Sequence, residues 1–182
     1  MARQQTRWKV HEAALSLARE TRVGSITMEG IAGRAGISRQ TLYRTWPSTG
    51  AVLFDALLAR STDENDAVVV PDSGNLATDL ETLAVATSAE LTDPTHEPLL
   101  RALTAQMQAD EALATQFREL LLGPQLSAIA NRFRRQNVPD PDGAAELFVG
   151  PIFHRWLLRT GPFNSEWIRA HVARTVRGTS ST

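Results

Sequence analysis

Apolar residues recur along nearly the whole chain at three- and four-residue spacing, the period of a helix with one buried face. Val10, Ala13, Ala14 and Leu17 predict a helix over 7–21, with Trp8 closing the end of its small core. Met28, Ile31, Ala32 and Ala35 predict a second over 28–35, Leu42 anchors a third over 38–45, and Trp46 is expected to close their core from below. Val52, Leu53, Ala56 and Leu57 form the inner face of a fourth, over 49–62. Residues 63–75 interrupt the pattern: three valines there are followed by Pro71 among acids, which reads as an extended connector. Leu76, Leu80, Leu83 and Ala84 then mark a helix over 75–91, and Leu99, Leu100, Leu103 and Met107 one over 94–108. A longer pattern over 111–136 is capped by Asp110 and carries Leu113, Phe117, Leu120, Leu121, Leu126, Ile129 and Phe133, with a break or kink at Gly123-Pro124. Residues 143–160 are apolar on more than one side, through Leu147, Phe148, Val149, Ile152, Phe153, Trp156, Leu157 and Leu158, with Pro151 expected to bend them. Such a helix needs two partners. Ser165 is expected to cap a last helix over 166–177, with Trp167, Ile168, His171, Val172 and Val176 inward. The fold class is therefore all-α, with about nine helices and no internal repeat.

The shortest helices are the most informative. Thr27 is an N-cap, Gly36 a helix stop that tolerates positive φ, Ile37 a corner residue and Ser38 a second N-cap. Together they predict a helix-turn-helix over residues 27–46. Its second helix buries Leu42 and leaves Arg39, Gln40, Thr41, Tyr43 and Arg44 outside, all able to donate hydrogen bonds to phosphates or base edges.

Charge strengthens this reading. Residues 1–60 carry nine Lys and Arg against four Asp and Glu, net +5, and residues 61–182 carry ten against sixteen, net −6. A basic head on an acidic body suits a nucleic-acid reader with a different task in its second half. Only one of the nine basic residues in the head is a lysine, and arginine grips phosphate or guanine with two bonds. The first six residues read as a mobile arm; Arg3 within it and Arg7 beside it could reach phosphates or the minor groove, and an ordinary solvated terminus is the equal alternative. Arg132, Arg134 and Arg135 read instead as a solvated helix end. The absence of cysteine and of any long apolar run fits a cytoplasmic protein with no membrane segment.

Several elements together resemble the DNA-binding head of the tetracycline-repressor (TetR) family of bacterial transcription regulators. They are Ala13-Ala14 with Leu17, Thr27-Met28, Ile31-Ala32, Ala35-Gly36-Ile37-Ser38, Thr41-Leu42-Tyr43 and Trp46-Pro47-Ser48, in order and at family spacing. Two positions depart from the family pattern. Arg22 stands where a glycine is usual, so the turn is expected at Gly24, and Thr49 and Gly50 replace a phosphate-holding lysine and an acid. The resemblance implies a three-helix DNA-binding domain over 1–48, a connector helix over about 49–62, and a helical ligand-binding and dimerisation domain over 63–182.

Arg39 and Gln40 are the expected base readers; Thr27, Ser38, Thr41, Tyr43, Arg44 and Ser48 are the expected phosphate contacts. One head reads few base pairs, so a homodimer on a palindromic operator is expected. Its interface is assigned to Phe148, Ile152, Trp156, Trp167, Ile168, His171 and Val172, because the last two helices resemble the family's four-helix bundle. The resemblance further implies a repressor released by a small apolar or aromatic effector. Phe54, Leu57, Leu58, Leu103, Met107, Phe117, Leu121 and Phe153 could line its pocket, with Gln106, Gln108, Gln116 or His154 as polar contacts. The alternative is a helix-turn-helix regulator with a filled interior, controlled by a protein partner or constitutive. An enzyme is disfavoured: the four histidines lie far apart, and no metal-ligand spacing, nucleophile elbow or phosphate loop is present. No catalytic residue, metal or cofactor is expected.

Overall fold

The structure is a computed structural model and describes residues 2–20, 25–61 and 69–179. The turn expected at Arg22 or Gly24, and the connector residues 62–68, lie outside them. The described residues form helices α1 (Ala2–Glu20), α2 (Met28–Ala35), α3 (Arg39–Thr45), α4 (Thr49–Ser61), α5 (Leu76–Leu91), α6 (Glu97–Met107), α7 (Glu111–Phe117), α8 (Gly123–Arg134), α9 (Pro141–Leu158) and α10 (Ser165–Thr179), with no strand among them. A π-helical turn, Arg118–Leu122, joins α7 to α8. Counting α7 to α8 as one continuous helical segment of sequence gives the nine expected helices among the described residues.

The chain divides into two compact units. One comprises Met1–Asp66 with Pro94–Phe117, and the other Ala67–Asp93 with Arg118–Thr182. The grouping follows from α4. Val52, Leu53, Phe54, Ala56 and Leu57 are all buried, which is more of the helix circumference than one neighbour can cover. α1 packs on one part of it, and α6 and α7 on the rest. The close approach at the start of α4 depends on Gly50: a Cβ there would lie 2.4 Å from Leu113 Cδ2. Asp110 caps α7 as expected, accepting from Leu113 N at 3.0 Å.

Two expectations for α1 need correction. Residues 2–6 are not an arm but the first turns of α1. Trp8 is 63 % exposed and does not close the core, which Leu15 and Ala18 complete about two and three turns further on. At Gly123-Pro124 the α-helical pattern is interrupted, as expected, and resumes as α8. Pro124 lacks the N–H that would close the preceding turn, and the backbone widens to π geometry just before it. Gly123 makes room, because a Cβ there would sit 2.9 Å from the Arg118 carbonyl oxygen.

In the second unit α9 packs on α8, α10 and α5, and α10 also covers α5. Arg132 is not solvated. It is 2 % exposed and donates from Nε and Nη2 to Asp79 Oδ2 at 2.8 and 2.6 Å. Burial pushes the Asp79 carboxyl up, but hydrogen bonds from Ser73 and Arg132 outweigh it and hold the group below the usual carboxylate range. Arg134 is held by Asp142 and Arg135 by Asp72, so this arginine cluster is neutralised within the unit. His171 is buried between the rings of Phe148 and Trp167, at centroid distances of 5.6 and 5.0 Å, with Nε2 2.8 Å from the Phe148 carbonyl. Burial pushes its pKa down, opposed by that carbonyl and aided by Arg174. The cap of α10 is Asn164 rather than Ser165: its side chain accepts from Trp167 N at 2.8 Å. No described helix is long and apolar enough to cross a membrane.

Candidate nucleic-acid interface

Two capped turns hold the helix-turn-helix. Thr27 accepts from Gly30 N at 3.1 Å and opens α2. Gly36 ends α2 at φ 67°, a left-handed conformation that costs other residues steric strain. Ile37 N then donates back to the Ala32 carbonyl at 3.0 Å, fixing the exit direction. Ser38 accepts from Thr41 N at 3.1 Å and opens α3. Leu42, fully buried, pins α3 to the core, and Arg39, Gln40, Tyr43 and Arg44 are left exposed.

The hydroxyl residues expected at phosphates have a second task. Thr27, Ser38 and Ser48 each accept a backbone N–H as caps, Ser48 from Ala51 N at 3.2 Å. Thr41 and Ser38 also share a hydrogen bond at 2.9 Å. Accepting at a cap consumes a lone pair, not the O–H, so Thr27 and Ser48 keep a donor for phosphate. Arg39 stands 3.5 Å from Glu29, which lies in the first turn of α2.

The pose of α3 depends on a residue the periodicity does not single out. Asp55, on α4, accepts from Trp46 Nε1 at 2.9 Å, His11 Nε2 at 2.8 Å and Arg7 Nε at 2.9 Å. Burial pushes the Asp55 carboxyl up, but these donors, with Arg7 first, hold it below the usual carboxylate range. Arg7 is therefore held by the protein's own carboxylate and is not the phosphate contact expected of it. The Arg3 side chain lies outside the described residues. Trp46 is buried and closes the small core as expected, its ring edge 6.3 Å from His11. The signal for Asp55 was present: it is the one charge in the apolar run from Ala51 to Leu58. Arg34 is likewise occupied. It bonds Glu20 and Ser16 across α1 and α2, and those bonds hold the Glu20 pKa at about 2.

The residues expected around a ligand are only partly brought together. Phe54 and Leu58 line a cleft of about 320 Å³ with Trp46, Asp55, Arg7 and Gln116. Phe117 lies against Phe54, centroids 6.5 Å apart. Leu57 and Leu103 are packed core, and Met107 is half-buried. Leu121 and Phe153 belong to the other compact unit, where Phe153 meets Trp156 edge-on at 6.1 Å.

The residues expected at a dimer face are mostly buried within one chain. Phe148, Ile152, Trp156, Ile168, His171 and Val172 are all at most 4 % exposed within one chain. Their apolar surface is already spent inside the protomer. Of the set, only Trp167 is partly open, beneath the Arg155 guanidinium at 4.7 Å. The apolar side chains that α9 leaves outside are Leu147, Leu157 and Leu158. No cluster of three or more metal-ligating side chains occurs among the described residues.

Comparison with known proteins agrees with this architecture. Residues 70–175 match a family model described as the tetracyclin repressor-like C-terminal domain. The chain is 29 % identical to the HTH-type transcriptional regulator YdeS of Bacillus subtilis over 178 residues, 93 % of this chain and 87 % of YdeS. Among solved structures, the TetR family transcription regulator SCO0332 superposes with a TM-score of 0.67 at 26 % identity, covering 96 % of this chain and 98 % of that one. NalD of Pseudomonas aeruginosa shares the fold, with a TM-score of 0.66 at 22 % identity over 97 % of this chain and 96 % of its own. The capped helix-turn-helix with its exposed donors and the all-helical remainder thus have one explanation: the chain belongs to the TetR family of DNA-binding transcription regulators.

Proposed function

We propose that this regulator is a cytoplasmic repressor that binds a palindromic operator as a homodimer and is released by a small apolar or aromatic compound. The observation that carries the DNA-reading part is the row Arg39, Gln40, Tyr43 and Arg44, exposed on a helix capped at Ser38 and pinned by Leu42. Arg39 and Gln40 read bases; Tyr43, Arg44, Thr41, Ser38, Thr27 and Ser48 hold phosphates. Leu147, Leu157 and Leu158, exposed on α9, supply apolar area for a second copy. NalD, which shares the fold, is by its name a repressor of an efflux pump. The cleft beside Phe54 and Leu58 supports an effector site reaching the helix that Asp55 ties to α3.

A second reading, a regulator without a small-molecule effector, is favoured by the burial of Leu57 and Leu103 in the core. Selection of bound duplexes from a random pool, with the mass of the complex measured in parallel, tests the first part. A palindrome held by two copies is expected; a monomer without preference for any duplex overturns it. A thermal-shift screen with aromatic compounds separates the two readings. Stabilisation accompanied by loss of operator binding supports the effector, and no shift supports its absence.

A further inference from the structure

We propose that Glu29 is a positioning residue that makes Arg39 a base reader instead of a phosphate clamp. The inference rests on the reading of Arg39 given above. Glu29 is the only acid between residues 21 and 54, the stretch that contains the whole helix-turn-helix. An acid on a surface meant for a polyanion weakens binding, so its presence there calls for an account.

The geometry supplies one. Glu29 lies in the first turn of α2 and Arg39 is the first residue of α3; Glu29 Oε1 and Arg39 Nη1 are 3.5 Å apart. Both side chains reach solvent, Arg39 at 68 % and Glu29 at 44 % exposure. Two other head acids are occupied elsewhere, Glu20 by Arg34 and Asp55 by Arg7, His11 and Trp46. At 3.5 Å the carboxylate restrains the guanidinium without using up its five N–H donors. A phosphate approaching Arg39 also meets the Glu29 charge, so that contact is largely cancelled. A guanine edge is uncharged and accepts two N–H bonds without that repulsion. The pair therefore lowers binding to arbitrary duplex more than binding to a site that offers guanine at the right step.

The test uses the full chain as wild type, Glu29→Gln, Glu29→Asp, Arg39→Ala and the double variant Glu29→Gln/Arg39→Ala. Affinity for the selected duplex and for a scrambled one is followed against salt. For Glu29→Gln, binding to the scrambled duplex is expected to tighten about 5–10-fold, and its salt slope to steepen by about 0.9, one added phosphate contact. The ratio between the two duplexes falls, and preference flattens at the step Arg39 reads. Glu29→Asp, which keeps the charge, recovers most of the ratio. None of these changes appears in the Arg39→Ala background. Equal tightening on both duplexes, with or without Arg39, would show simple charge removal and overturn the proposal. A changed preferred base in the Arg39→Ala background would show that Glu29 reads a base itself, and also overturns it. If wild type selects a duplex and Glu29→Gln leaves the ratio unchanged, this inference alone fails. If wild type selects none, the proposed function fails with it. Helix stability, which a first-turn acid also serves, moves the melting temperature but not the base preference.

Discussion

The helix-turn-helix and the second unit use the same residue type in opposite ways. On α3, Arg39 and Arg44 stand in solvent, and the core beneath them is small, with Leu42 as its peg. On α8, Arg132 is buried with both donors of one edge on Asp79. An exposed arginine contributes little to stability and much to a polyanionic partner. A buried one contributes nothing to a partner and becomes a liability once its carboxylate is removed. On the proposed reading, function is carried where the arginines remain uncommitted or only restrained, and integrity where they are consumed. Arg7, Arg34 and Arg134 fall on the consumed side although each lies near a surface.

The largest effect that would sharpen this contrast comes from the buried pair. Arg132→Ala leaves Asp79 charged and buried, and should cost about 3–5 kcal/mol in chemical denaturation. A cost under about 1 kcal/mol, the range of exposed pairs, would erase the distinction. Next comes the reading face. Arg39→Ala should lose about 1–3 kcal/mol on the selected duplex and relax one base step, with unchanged denaturation. Tyr43→Phe, by contrast, should weaken all duplexes alike. Equal loss on every duplex for Arg39→Ala would return that residue to the phosphate class.

Smaller still is the cap. Ser38→Ala should cost about 1 kcal/mol of stability, read in the same denaturation curves, because Thr41 N loses its acceptor. Ser38→Gly should cost only a few tenths. The smallest effect is a pH slope in the second unit. Burial lowers the pKa of His171 in the folded chain. Unfolded chain therefore takes up the proton first, at about pH 6.5. The stability tied to His171 is present above that pH and is lost as pH falls toward the folded value. Subtracting the melting curves of His171→Phe from those of wild type isolates this term, and a flat difference between pH 7 and 5 would exclude it.

Elements set by short-range chemistry were legible from residues alone. Thr27, Gly36, Ser38 and Asp110 each act on backbone within about one helical turn, so type and spacing suffice. The cap at Asn164 was missed by a single position, as helix ends often are. Arg132 and Asp55 were misjudged or overlooked for another reason. Asp79 is 53 residues from Arg132, and Arg7 is 48 from Asp55, so neither partner can be read from local pattern.

Helical period, caps, the basic head and the exposed donors of α3 were determined by the order of residues, because each depends on neighbours a turn away. Which side of each apolar helix meets which partner was decided only in three dimensions. Period marks Phe148, Ile152 and Trp156 as buried but does not say against what, and the fold packs them inside the protomer, leaving Leu147, Leu157 and Leu158 outside. In the same way α6 and α7 join the unit of the head because α4 has more apolar circumference than α1 can cover. Burial acts on area without regard to direction or chain order, and only the assembled structure assigns the partner.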